Sequence, residues 1–216
     1  MGLRLCRSSV KGALGIMGSL PRECHMPDLS GLPPLLPGLI ATVLVSEGVY
    51  LTERERLYYR VFLRLADKAV REYMWAREAV ITEAKRFRKG GQEFYVVSFM
   101  DHIENCINAC RRLYALLECV KTENGGLPIE RIKRRLVDAH FEELKNVRVA
   151  IEHVDEKIQN GEITTGIMPS FTDDDKSLRM LGHTMRFCDL AAVLTKFNEI
   201  GRDWIESFSS SKSNST

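Results

Sequence analysis

A chain of 216 residues, 44% hydrophobic and 28% charged, has room for one ordinary globular domain plus tails. Thirty-one Lys and Arg against twenty-nine Asp and Glu leave a net charge of +2, which excludes nucleic-acid binding through bulk positive charge and confines any such contact to a local patch. No run of about eighteen apolar residues occurs, so the sequence predicts no membrane-spanning helix.

Residues 1–37 carry Pro21, Pro27, Pro33, Pro34 and Pro37 and no sustained period. Arg4, Arg7 and Lys11 before GALGIMGSL imitate a signal peptide, but two glycines interrupt the apolar part and no small-residue cleavage site follows. The segment is therefore expected to be a disordered leader, followed by a folded domain over 38–208 and a disordered tail over 209–216. Leu39 to Val45 reads as a short helix lying over one end of a bundle. Thr52 and Glu55 form a capping box. Beyond it Leu57, Val61, Leu65, Ala69, Tyr73, Ala76, Val80, Ala84 and Phe87 keep a spacing of three to four up to Gly90–Gly91. That predicts a helix of about thirty-six residues and ~54 Å. Its last turn holds Lys85, Arg86, Arg88 and Lys89, cations that complement the negative end of a helix dipole.

A second helix is predicted from about Glu93 to Lys121 on the stripe Val97, Met100, Ile103, Ile107, Cys110, Tyr114 and Leu117, closed by Asn124–Gly125–Gly126. Pro128 then opens a third, running from Ile129 to about Gln159. In its second half His140, Leu144, Val147, Ile151, Val154 and Ile158 form one core-facing seam, and Asn160–Gly161 ends it. Residues 162–188 read as a loop, with a small hairpin around Gly182–His183. Asp189 is the expected cap of a last helix, whose apolar face is Leu190, Val193, Leu194, Phe197, Ile200, Trp204 and Ile205. The predicted fold is all-α: an up-down bundle of four main helices with a small loop or hairpin insert before the last.

The six cysteines, at 6, 24, 106, 110, 119 and 188, contain no CxxC pair. They read as free thiols in a reducing compartment, which makes a cytoplasmic location the expectation. Glu152, His153, Asp155 and Glu156 offer ligand atoms, yet there is no HExxH or paired ExxH, and His25, His102, His140 and His183 lack metal spacing. No metal or cofactor site is expected. Phosphate-cradling glycine loops, a GxSxG elbow and kinase signatures are missing too. The run Ile132-Lys-Arg-Arg135, with Arg131, Arg111 and Arg112, reads as a solvated helix face rather than an RNA groove.

One short string stands apart. Arg148-Val-Ala-Ile-Glu-His153 is an R-x4-H in the third long helix of an all-helical chain, and in that context it resembles the HEPN superfamily of small, often dimeric helical bundles. The resemblance implies a homodimer formed through this helix. Its function is then a nucleic-acid or partner-binding module, with metal-independent RNA cleavage where the Arg and His are active. Val149 stands where that family usually places a polar residue, often Asn, and the nearest asparagine is Asn146. The wider string NVRVAIEHVDE also resembles a motif of uncharacterised bacterial helical proteins, for which the likeness implies no settled activity.

The chemistry of the two residue types suits the first likeness. An imidazole can move a proton near neutral pH, the role expected of His153. A guanidinium can hold a crowded phosphate through its forked donors, the role expected of Arg148, with Asn146 and Glu152 supporting. On a regular helix, however, residues five apart point ~140° away from each other, so the pair meets only at a distortion or across a two-fold axis. The alternative expectation is a non-catalytic helical interaction module, with Arg148 and Glu152 as an ordinary i,i+4 ion pair.

Overall fold

A computed structural model describes residues 24–44, 52–89, 97–122, 127, 129–163, 169–172 and 174–210. Residues 1–23 of the expected leader and 211–216 of the expected tail lie outside them. Among the described residues the protein is an all-α bundle with one small antiparallel sheet.

The long helix begins where the capping box placed it. The Thr52 amide donates to Glu55 Oε2 at 2.8 Å and the Glu55 amide donates back to Thr52 Oγ1 at 3.3 Å, so two of the unpaired donors of the first turn are satisfied reciprocally. This helix, Glu53–Arg88, is α2; a short α1, Leu36–Leu44, precedes it and α3, Val97–Thr122, follows. Ala66, Ala69, Ala76 and Ala84 are buried along α2, and such small side chains let α3 approach closely along its length. In the first half of α2 the buried face is Tyr59, Phe62, Leu63, Leu65 and Ala66, so Leu65 of the predicted stripe is in the core, while Leu57 is exposed and Val61 only partly covered. The predicted stripe is displaced there because α1 and α7, Phe187–Ser210, also pack on α2. Phe62 sits 4.5 Å from the Trp204 ring and 6.2 Å from that of Phe197, both on α7, within the range of favourable aromatic pairs.

The predicted third helix is three helices: α4, Arg131–Ala139, α5, Phe141–Glu152, and α6, Val154–Gln159. The breaks fall at His140 (φ −106°, ψ 3°) and His153 (φ −98°, ψ 13°), in the sparsely allowed bridge region. The reason lies in packing: α4 lies on α7, whereas α5 lies on α3 and on the strands, and one straight rod cannot follow both. The seam is buried at Leu144 and Val147, thins at Ile151 and Val154, and leaves Ile158 exposed, so α6 contributes nothing fully buried.

The insert is a three-stranded meander, β1 Ser170–Phe171, β2 Ser177–Met180 and β3 His183–Arg186, with Met180 opposite His183. The two-residue turn between β2 and β3 has positive φ at both Leu181 (47°) and Gly182 (84°), as a twist-matched hairpin turn requires. Phe171 of β1, not foreseen as a strand, lies 4.5 Å from Phe99 and 5.5 Å from Phe187, so the sheet closes one end of the core. The last helix starts two residues before the expected cap, because the Phe187 amide donates to the Lys176 carbonyl across the meander. Asp189 therefore sits inside the first turn of α7.

Residues 24–37 depart from the expected leader. Met26, Leu29 and Leu35 are buried in the main core. Arg77 Nε donates to the Met26 carbonyl at 3.0 Å, Asn198 Nδ2 to the Pro33 carbonyl at 3.0 Å, and the Leu35 amide to Asp67 Oδ1 at 3.0 Å. Proline supplies no backbone donor, so a Pro-rich segment can pack once its acceptors meet side chains from the bundle. The folded unit thus includes residues 24–37, and the expected boundary at 38 is corrected.

Candidate functional site

The structure gives Arg148 and His153 separate carboxylates. Arg148 Nη2 donates to Glu152, one turn on in α5, and His153 Nδ1 lies 2.9 Å from Glu156 Oε2 in α6. No hydrogen bond or ion pair joins Arg148 to His153 among the described residues. Backbone bonding continues through the break, with the His153 amide on the Val149 carbonyl and the Lys157 amide on the His153 carbonyl. Asn146, Glu152 and His153 are exposed and Arg148 is half-buried, and local helix pairing in water accounts for the contacts of Arg148, Glu152 and His153.

The basic run is divided as well. Lys133 reaches Asp203 at 2.5 Å and Glu130 at 3.2 Å; burial works against its charge, and these two carboxylates outweigh it and raise its pKa. Arg134 contacts Glu118, Asp138 and the Leu117 carbonyl and lies 5.4 Å over the Tyr114 ring. Two of the run's cations therefore pin α4 in place, and the exposed cations left in it are Arg131 and Arg135.

A different constellation emerges between α2 and α3. Glu72, the one charged residue that is buried among the described residues, accepts from His102 Nδ1 at 2.7 Å. A carboxylate can only accept, which assigns the proton on that nitrogen and leaves Nε2 as the ring atom available to a ligand. Toward the C-terminal end of α2, Trp75, Glu78, Ala79, Thr82, Glu83 and Arg86 line an open groove of about 610 Å³, completed by Val97, Ser98 and His102 of α3. These α2 residues recur at steps of three and four, forming a second stripe beside the core stripe. Trp75 is 48% exposed, with the His102 ring 5.3 Å away on one side and the Arg71 guanidinium 5.3 Å from its centroid. Glu83 is paired with Arg86 at 2.6 Å, whereas Glu78 accepts only the Thr82 hydroxyl among the described residues. Beneath the groove, Cys106 is buried and its thiol is pushed up by that burial first and by the neighbouring Cys110 next, so it is packing material and not a nucleophile.

Sequence reasoning missed this groove. Its one available signal was a tryptophan on the polar shoulder of α2, three residues after Glu72, but nothing local links either residue to His102. No disulfide joins any of the five described cysteines. Among the described residues one set of side chains has metal-ligand spacing, His140, Glu143 and Asp189, and it is assembled from two distant parts of the chain. No described helix is long and apolar enough to cross a membrane. No family model matches the chain, and neither does any curated protein or solved structure.

Proposed function

We propose that the protein is a non-catalytic helical interaction module whose partner seat is the groove around Trp75. The observation that carries this reading is the contrast between its two tryptophans: Trp204 is fully buried, while Trp75 stands half exposed on the rim of a groove. Exposed aromatic anchors beside a concavity supply most of the energy of protein association. Ala79 and Val97 add apolar wall and Glu78 adds an acid without an ion pair among the described residues. The partner of that chemistry is a protein segment presenting an aliphatic side chain flanked by Lys or Arg. Selection from a displayed peptide library should enrich such sequences. Their affinity should fall at least about tenfold in Trp75→Ala, the effect of losing one hot spot, and stay unchanged in Arg148→Ala. Equal binding to wild type and Trp75→Ala would reject the seat.

A second reading keeps the HEPN-like homodimer and its ribonuclease activity, and one observation favours it: the helix is bent at His153. A second copy across α5 and α6, where Val149 and Ile158 are exposed, would supply the remaining reorientation. Both glutamate pairs would have to open. RNA incubated in EDTA distinguishes the two readings: the interaction module leaves it intact, whereas cleavage by wild type that disappears in His153→Ala would install the nuclease. Sedimentation showing only a 24.6 kDa species would remove the homodimer.

A further inference from the structure

We propose that His140, Glu143 and Asp189, with Cys188 as the fourth donor, form a site for a divalent metal of the zinc class that ties the start of α5 to the start of α7. One ligand atom from each of the first three lies within 4.8 Å of the other two, and His140 Nδ1 stands 3.9 Å from Glu143 Oε2. Donor atoms around a tetrahedral metal with arms of about 2.1 Å are about 3.4 Å apart. Closing the three-donor set asks for rotamer adjustment, chiefly of Glu143, whose side chain is half exposed, and Cys188, which stands outside that set, must swing in to complete it.

Exposed carboxylates alone gather without binding anything. Here the donors are mixed, and they come from two separate elements. His140 is the residue at the break between α4 and α5, and Glu143 follows one turn later. Asp189 projects from the first turn of α7 with its side chain only 13% exposed. The Cys188 thiol is exposed and already points at this carboxylate, donating to Asp189 Oδ1 at 3.5 Å. An imidazole and a thiol beside two carboxylates select a borderline-soft ion over magnesium or calcium, which require oxygen shells. On binding, Cys188 coordinates as the thiolate and its proton passes to solvent.

A cation already answers part of this charge. Arg186 Nε donates to Asp189 Oδ2 at 2.7 Å and its Nη2 to Oδ1 at 3.0 Å. Its side chain is 67% exposed, so it can withdraw into water and leave both oxygens to the metal. Arg186 is a competitor for the site, and that gives the proposal an effect of opposite sign to test.

The full chain, titrated with Co²⁺ as a spectroscopic stand-in for Zn²⁺, should bind one ion per chain. It should show visible ligand-field bands and a near-ultraviolet thiolate-to-cobalt band, both removed by added Zn²⁺. Cys188→Ser should abolish the thiolate band, and Cys119→Ser should leave it. His140→Ala and Glu143→Ala should each weaken binding by at least about tenfold, with circular dichroism verifying that the half-exposed Glu143 can be replaced without unfolding. Arg186→Gln should tighten binding several-fold. Absence of any cobalt spectrum, or identical titrations for wild type, His140→Ala and Glu143→Ala, would overturn the site.

Discussion

In the core formed by α2, α3 and α7, the buried neighbours three or four residues apart are apolar, and polar exceptions such as Glu72 and Asn198 are each matched by a partner from another part of the chain. In the arm formed by α5 and α6, the same spacing joins Arg148 to Glu152 and His153 to Glu156, neighbours on the same stretch of chain. The core's polar pairs are therefore long-range and shielded, and the arm's are local and solvated. Spacing alone does not separate a site from a surface. What separates them is whether the partner arrives from elsewhere in the chain, because only then has folding fixed the geometry.

The comparison can be broken most directly by cavity formation. Phe62→Ala removes a fully buried ring between Phe197 and Trp204 and should cost about 3–5 kcal/mol, whereas Ile158→Ala on the exposed end of the seam should cost less than about 0.5 kcal/mol. Urea midpoints of the two variants compare them; similar losses would mean that α6 belongs to the core. Next in size is Gly201→Ala on α7. A Cβ there would stand 2.7 Å from Leu35 Cδ1 and 2.9 Å from Leu63 Cδ2, so the variant should lose about 1–3 kcal/mol by overpacking, and Leu35→Ala in the same background should recover part of it. No recovery would show that the segment containing Leu35 does not rest on α7.

Glu72→Ala should destabilise by about 1–2 kcal/mol, since it removes a buried acceptor of the His102 ring. Arg148→Ala, which loses only a solvated i,i+4 pair, should stay within about 0.5 kcal/mol. Thermal unfolding of both under one buffer sharpens the contrast between shielded and solvated pairs. The smallest effect is expected for Tyr73→Phe. The Tyr73 hydroxyl is buried without a hydrogen-bond partner among the described residues, and burial pushes its pKa up, so its removal should leave stability unchanged or slightly higher. A loss above about 1 kcal/mol would reveal a bridging partner.

Much of the bundle was legible because it depends on neighbours in sequence. The Thr52–Glu55 cap, the long α2, the turn at Gly182 and the middle of the α3 stripe, at Ile103, Ile107, Cys110 and Leu117, all follow from interactions within a few residues, whereas Val97, expected at the start of that stripe, is exposed and Phe99 is buried in its stead. The bends at His140 and His153 were not legible, since no proline or glycine marks them; they arise because α4 and α5 rest on different surfaces. The packing of residues 24–37 was hidden for a related reason. Proline-rich composition reports what a segment cannot do alone, and it is silent about acceptors such as the Met26 and Pro33 carbonyls meeting Arg77 and Asn198. The R-x4-H string was easy to see in sequence, yet its two ends are held by separate glutamates, while the Glu72–His102 pair bridges two helices and leaves no local trace.

The sequence alone was enough to place the long helices and most of their apolar stripe, because hydrogen bonds at i,i+4 and capping act over a turn or less and the periodic pattern records them. Only the tertiary structure decided which polar groups meet: Glu72 with His102, His140 and Glu143 with Asp189, Trp75 with the wall of a groove. Those meetings depend on how whole helices lie against one another, which is set by the summed burial of many side chains.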